Sequence, residues 1–123
     1  MNEPNPAGWK PLSEQALFSL IECAEIVLDE GVLEFWKRIR IRPKKWSLSP
    51  IGDLGGGFWV VAVIGQKCVW FNDIEDGFNI SEFDEFGIIR DYECNQTELS
   101  HLVLWLWSDF RTSLSKARGS IST

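Results

Sequence analysis

Residues 58–81, FWVVAVIGQKCVWFNDIEDGFNIS, decide the fold. Phe58 to Ile64 is apolar throughout and rich in Val and Ile, the pattern of a strand covered on both faces. Gly65-Gln66 supplies a tight turn, with Gly where a positive φ costs little. Lys67 to Phe71 returns as a second strand. Asn72-Asp73-Ile74-Glu75-Asp76-Gly77 then stacks polar turn formers ahead of a third strand marked by Phe78, Ile80 and Phe83.

Working outward toward the C-terminus, Asp84 to Gly87 closes the third strand, and Ile88, Ile89 and Tyr92 predict a fourth. Short turns between strands predict antiparallel pairing. Asn95 is the expected cap of a helix, with Glu98 three residues on as in a capping box. Leu99, Leu102, Val103, Leu106 and Phe110 share one face of it, which packs on the sheet. After Thr112 the polar residues 113–123 read as a flexible tail.

Toward the N-terminus, Gly52-Asp53-Leu54-Gly55-Gly56-Gly57 is a backbone hinge. A phosphate-cradling loop would open a helix and carry Gly-Lys-Ser/Thr, whereas these glycines precede a strand. Trp46 to Pro50 is a candidate short strand. Arg38-Ile39-Arg40-Ile41-Arg42 alternates with the period of a half-buried strand that Pro43 stops. Leu33, Phe35 and Trp36 break that register, so residues 32–36 stay open between helix and bulged strand. Lys37, Arg38, Arg40, Arg42, Lys44 and Lys45 form a basic stripe, ordinary for the edge of a sheet. Ser13 is the expected N-cap of a helix over residues 13–30. Its core face is Leu17, Leu20, Ile21, Ala24, Val27 and Leu28, with Glu14, Glu22, Glu25 and Asp29 on a neighbouring arc; Gly31 ends it. Residues 1–12, with Pro4, Pro6 and Pro11, form an irregular lead-in.

The expected architecture is a single α+β domain: a four- or five-stranded, mainly antiparallel sheet flanked by an N-terminal and a C-terminal helix. The 123 residues are 45% hydrophobic and 24% charged, enough to bury one core. Seven Trp and eight Phe leave some aromatics available to an interface. A net charge of −6 argues against nucleic acid and anionic membranes as partners. Cys23, Cys68 and Cys94 are odd in number and widely spaced, which points to a reducing compartment rather than disulfides or zinc. Residues 1–15 lack the pattern of a signal peptide, and no apolar run reaches the ~20 residues of a membrane span, so a cytoplasmic location is expected.

Acidity concentrates between Asp73 and Glu93. Asp73, Glu75, Asp76, Glu82, Asp84, Glu85, Asp91 and Glu93 stand against Arg90 alone. They are either a solvated rim or a docking surface for a cationic protein. Calcium fits poorly: in an EF-hand register starting at Asn72, Ile74 and Phe83 occupy ligand positions. A glycosidase-like carboxylate pair has no support from spacing. His101, the sole histidine, lies off the main face of its helix, and no nucleophile motif accompanies it. Leu104 and Trp105 are also off that face, which marks Trp105 as a partner or oligomer contact.

WVVAVIGQKCVWFNDIEDGFNIS, followed by CNQTEL, resembles a group of small bacterial proteins of unassigned function. These share a WVVAV–G–VxWxNDIExGFNxS pattern and a CNQxEL helix start; the resemblance spans Phe58 to Val103. In general character the chain also looks like the immunity proteins that neutralise toxin domains. Neither likeness implies catalytic residues, a cofactor or a metal. The leading expectation is therefore a non-enzymatic, protein-binding immunity protein that occludes a cationic toxin domain through Asp73, Glu75, Asp76, Glu82, Asp84, Glu85 and Trp105. The alternatives are a small-ligand binding domain or enzyme with a cleft near Gly55–Gly57 and the Asn72–Gly77 turn, and a structural homo-oligomer.

Overall fold

Among the described residues, three α-helices and one antiparallel sheet follow in the order α1 (Glu14–Ile26), α2 (Glu30–Ile39), β1 (Arg40–Trp46), β2 (Phe58–Ile64), β3 (Lys67–Asn72), β4 (Gly77–Glu82) and α3 (Leu99–Ile121). The computed structural model describes residues 10–121, with side chains to 116. The part of the expected lead-in at 1–9 and the tail end at 122–123 lie outside the described residues.

The sheet order β1-β2-β3-β4 follows the chain, and all three pairings are antiparallel. In β3 the side chains alternate strictly. Val69 and Phe71 enter the core beneath the helices, while Cys68 and Trp70 enter a second core on the opposite face. Strand β2 does the same until its register shifts between Val60 and Ala62, and Val61 and Ala62 both join the helix-side core. Phe58, Val60, Val61 and Ala62 are fully buried, as a strand covered on both faces requires. All three helices supply the first cover. The second comes from irregular chain: Leu48, Phe83 and Ile89 pack with Trp46, Phe58 and Trp70.

The N-terminal third departs from the expected single helix. Ser13 caps α1 as expected, its Oγ accepting from the Ala16 N–H at 3.1 Å. The helix nevertheless stops at Ile26, where the Val27 and Leu28 N–H groups fold back on the Ala24 and Glu25 carbonyls. Gly31 does not end a helix; it lies inside α2, which buries Val32, Phe35, Trp36 and Ile39 at helical spacing. Arg38 and Ile39 are therefore helical, and only residues from Arg40 onward form strand. Pro43 does not stop that strand. It sits within β1 where the register breaks between Arg40 and Lys44, a place where a missing N–H breaks no ladder. Glu25 ties this region together: its Oε2 accepts from Trp36 Nε1 at 2.8 Å and from Arg40 at 2.6 Å.

Three expectations downstream also change. Trp46 to Pro50 is not a strand of its own, since Trp46 ends β1. Ile88, Ile89 and Tyr92 form no fourth hairpin strand; Ile88 makes a single parallel bridge to Ser47. Asn95 does not cap α3, which begins four residues later at Leu99, and the helix continues past Thr112 to Ile121. Residues 90–97 instead form a strap across the outer face of β4. The Arg90 N–H donates to the Glu82 carbonyl, Ser81 Oγ to the Asp91 carbonyl, Asn72 Nδ2 to that of Glu93, and the Phe78 N–H to that of Thr97. Asn79, 1% exposed, makes two bonds to Asn95, giving from Nδ2 to its carbonyl and receiving its N–H at Oδ1.

Gly77 admits the strap. A Cβ there would lie 2.3 Å from the Gln96 Cα and 2.6 Å from the Asn95 carbonyl, so any side chain forces two backbones apart. Gly77→Ala is expected to cost about 3 kcal/mol in urea denaturation. Gly31→Ala, with nothing within 4 Å of its Cβ, should stabilise the protein by about 0.5–1 kcal/mol.

Candidate protein-binding site

The acidic residues do not form one patch. Strand β4 separates them: Asp73, Glu75 and Asp76 precede its start, and Glu82, Asp84 and Glu85 lie at or beyond its end. Five residue steps put the two groups roughly 17 Å apart.

At the turn end, Asn72 organises the chain. Its buried Oδ1 accepts from the Ile74 N–H at 3.0 Å and the Glu75 N–H at 3.2 Å, so NDIE is an Asx-type turn. Asp73 is turned inward to structure, its Oδ2 accepting the Leu12 N–H at 2.7 Å. Gln96 Nε2 donates to the Glu75 carbonyl. Asp76 is exposed and takes a left-handed φ of 60°, a conformation Asp tolerates. Glu75 is half-buried and Asp76 faces solvent, so these two carry the outward charge of this turn.

At the far end Arg90 gathers three carboxylates: Glu82 at 2.7 Å, Asp91 at 3.2 Å and Asp84 at 3.4 Å. The Asp91 hydrogen bond, then the Asp84 charge, raises the Arg90 guanidinium above its ordinary value. Solvent-exposed pairs of this kind contribute little to stability. One cation against three carboxylates, with Glu85 exposed beside them, leaves this end net negative.

Two clefts flank the start of α3. One, of about 310 Å³, lies between α1, the β3–β4 turn and the first turn of α3, with Leu20, Cys23 and Val27 on its apolar wall and Asp76 and Glu98 at its acidic one. Leu20 and Val27 were expected in the core; they are 38% and 67% exposed, Leu20 standing off the Leu17–Ile21–Ala24 face that α1 buries and Val27 lying beyond the end of the helix. Glu98 is a site residue that the capping-box reading concealed. The second cleft, about 330 Å³, lies on the other side of α3 and is lined by Phe78, Ile80, Thr97, His101, Leu102 and Trp105. Trp105 is 54% exposed and Leu104 45%, in keeping with their place off the packed face. His101 stands 3.6 Å from Glu98 with its side chain largely in solvent.

Gly55–Gly57 and the Asn72–Gly77 turn share one end of the sheet, but the cleft at that turn draws its lining from α1 and α3 rather than from the glycine loop. Lys45 reaches into that loop, its Nζ donating to the Gly55 carbonyl and lying over the Trp59 ring. Among the described residues no group of three or more His, Cys, Asp and Glu is placed to hold a metal ion, and no helix is long and apolar enough to cross a membrane.

The cysteines divide by environment. Cys23 and Cys94 are exposed, while burial pushes the Cys68 thiol up to about 12. A thiol reagent should label two cysteines per native chain and three after denaturation. The raised value also sets a sign. The unfolded thiol ionises above pH ~9 and the native one does not, so the Cys68 contribution is whole below that pH. It is lost toward pH 12 at about 1.4 kcal/mol per pH unit. Urea titrations of wild type and Cys68→Ala between pH 8 and pH 11 measure the difference in slope. No protein-family model, curated protein or solved structure matches the chain.

Proposed function

We propose that this chain is a protein-binding protein whose partner is cationic, in the manner of an immunity protein occluding a toxin domain. The observation that carries the reading is the arrangement around β4. Exposed carboxylates stand at both ends of the strand, and between them an apolar cleft opens beneath the half-exposed Trp105. An aromatic anchor with charge around it is the usual composition of a contact surface, where the ring supplies affinity and the charges supply rate and selectivity. The resemblance to small bacterial proteins of unassigned function fits this reading without specifying a partner, and a cytoplasmic site of action remains part of the proposal.

The shared NDIE, GFN and CNQ residues support a division of labour. Asn72, Asn79 and Asn95 are spent on the turn and the strap, which leaves Glu75, Asp76, Glu82, Asp84, Glu85, Glu98 and Trp105 for contact. Asp73 leaves the contact set because it holds Leu12.

Capture from the native host, with the wild-type protein and two charge-reversed baits, tests the proposal. The baits are Asp76→Lys with Glu98→Lys and Glu82→Lys with Asp84→Lys. A basic protein retained by the wild type, bound about tenfold more weakly by each bait and with a flattened salt dependence, is the expected result. Equal retention by all three, or a captured partner that is acidic, would sink the reading.

A further inference from the structure

The basic residues lie at the opposite edge of the sheet from β4, since β1 is first in the sheet order and β4 last. Six of the chain's 12 Lys and Arg fall between residues 37 and 45, and no Asp or Glu stands between Glu34 and Asp53. Cations that only guard an edge strand stand in solvent beside it. Three of these are placed differently. Lys37, from the last turn of α2, and Arg40 and Arg42, from β1, line one cleft of about 390 Å³ whose other wall is α1.

The floor of that cleft is apolar. Ile21, Trp36 and Val61 are buried in its lining, and Phe18, on the α1 wall, is 43% exposed. Its volume falls within the roughly 300–1,000 Å³ of small-molecule sites, which are mostly apolar with a few placed polar groups. Glu22 and Glu25 share the lining with the three cations. Glu25 is already committed, its Oε2 accepting from Trp36 Nε1 at 2.8 Å and from Arg40 Nη1 at 2.6 Å. This pair holds the Arg40 guanidinium in place and leaves its other donors without a hydrogen bond to any described residue. The side chains of Lys37, Arg42 and Glu22 likewise make no ion pair or hydrogen bond to a described residue. Three cations against two carboxylates leave the cleft net positive, in a chain whose net charge is −6. A long polyanion would meet the carboxylates elsewhere on the chain, whereas a single small anion meets only the cleft.

We propose that the cleft between α1, α2 and β1 binds a small carboxylate with an aromatic body. The body lies on Phe18 and the apolar floor. The carboxylate takes the remaining donors of Arg40, with Lys37 and Arg42 beside it. A guanidinium fixed by a neighbouring carboxylate and still offering N–H groups suits the two oxygens of such a ligand. The site is separate from the β4 surface, so each reading stands if the other fails.

The test titrates the isotope-labelled whole protein with 2-naphthylacetate and follows the Trp36 indole N–H by NMR, assigned from its loss in Trp36→Phe. That signal is expected to shift and saturate with a Kd of about 1 mM or tighter, ordinary for a ligand of this size. The neutral 2-naphthylacetamide should bind about tenfold more weakly, and so should naphthylacetate to the double variant Lys37→Ala with Arg42→Ala. Glu22→Gln, which removes the uncommitted carboxylate from the lining, should tighten binding about two- to threefold. The Trp70 indole, bonded to Ser81 on the other face of the sheet, reports whether each variant is folded. Equal affinity for the acid and its amide would overturn the proposal, as would undiminished binding by the folded double variant or no saturation by about 10 mM. A dimer in light scattering that Arg42→Glu dissolves would also overturn it, by assigning the cleft to an acidic end of a second copy.

Discussion

Two buried asparagine side chains hold the strap of residues 90–97 against the sheet, and the rest of the structure depends on that clasp. Asn72 and Asn79 are 0% and 1% exposed, so each carries an amide that is costly to bury unless its hydrogen bonds are made. Asn72 spends its oxygen on two N–H groups of its own turn and its nitrogen on the strap. Asn79 closes a ring of two bonds with the Asn95 backbone. The clasp allows irregular chain, rather than a helix, to cover the second face of the sheet. Trp70 is sealed under it as well, with Nε1 donating to Ser81 Oγ at 2.9 Å.

The same clasp determines what β4 leaves exposed. Because the strap crosses the strand at Phe78 and again near Glu82, the edge is protected against sheet-to-sheet aggregation over most of its length. It also brings Asp91 and Arg90 beside Glu82, and delivers the chain to Leu99 so that α3 begins beside the β3–β4 turn. A surface with carboxylates at both ends of one strand and a tryptophan between them follows from how a loop is pinned, not from any motif of acidic residues. That is a physical reason to expect function at β4 even though every strongly patterned residue nearby is occupied with structure.

The sheet was legible in the sequence because its signals are local. The apolar run at Phe58, the Gly65 turn and the returning strand from Lys67 to Phe71 each act within a few residues, and all three appear as read. The break between α1 and α2 was harder, because Arg38 to Arg42 alternates like a strand while Val32, Phe35, Trp36 and Ile39 repeat like a helix. Tertiary contacts settle the contest: those four side chains have a core to enter, and Glu25 anchors both Trp36 and Arg40. Ile88, Ile89 and Tyr92 resembled a strand because they are apolar or aromatic between short polar segments, yet only Ile89 is fully buried, as part of an irregular cover, while Ile88 is 44% exposed. The strap itself carries no local signal, since its bonds join residues 8 to 21 apart in sequence. For the site, Trp105 was readable from its place off the packed face of its helix. The division of the acidic residues between two ends was not, because it follows from the length and direction of β4.

The central claim is that β4 presents a single open backbone position between two covered ones. Amide hydrogen exchange on the protein alone measures this directly, residue by residue. The Ile80 N–H is expected to exchange orders of magnitude faster than those of Phe78, bonded to Thr97, and Asn79, inside the β3–β4 ladder. An Ile80 amide as slow as its two neighbours would show that the edge is already occupied, and would contradict the account.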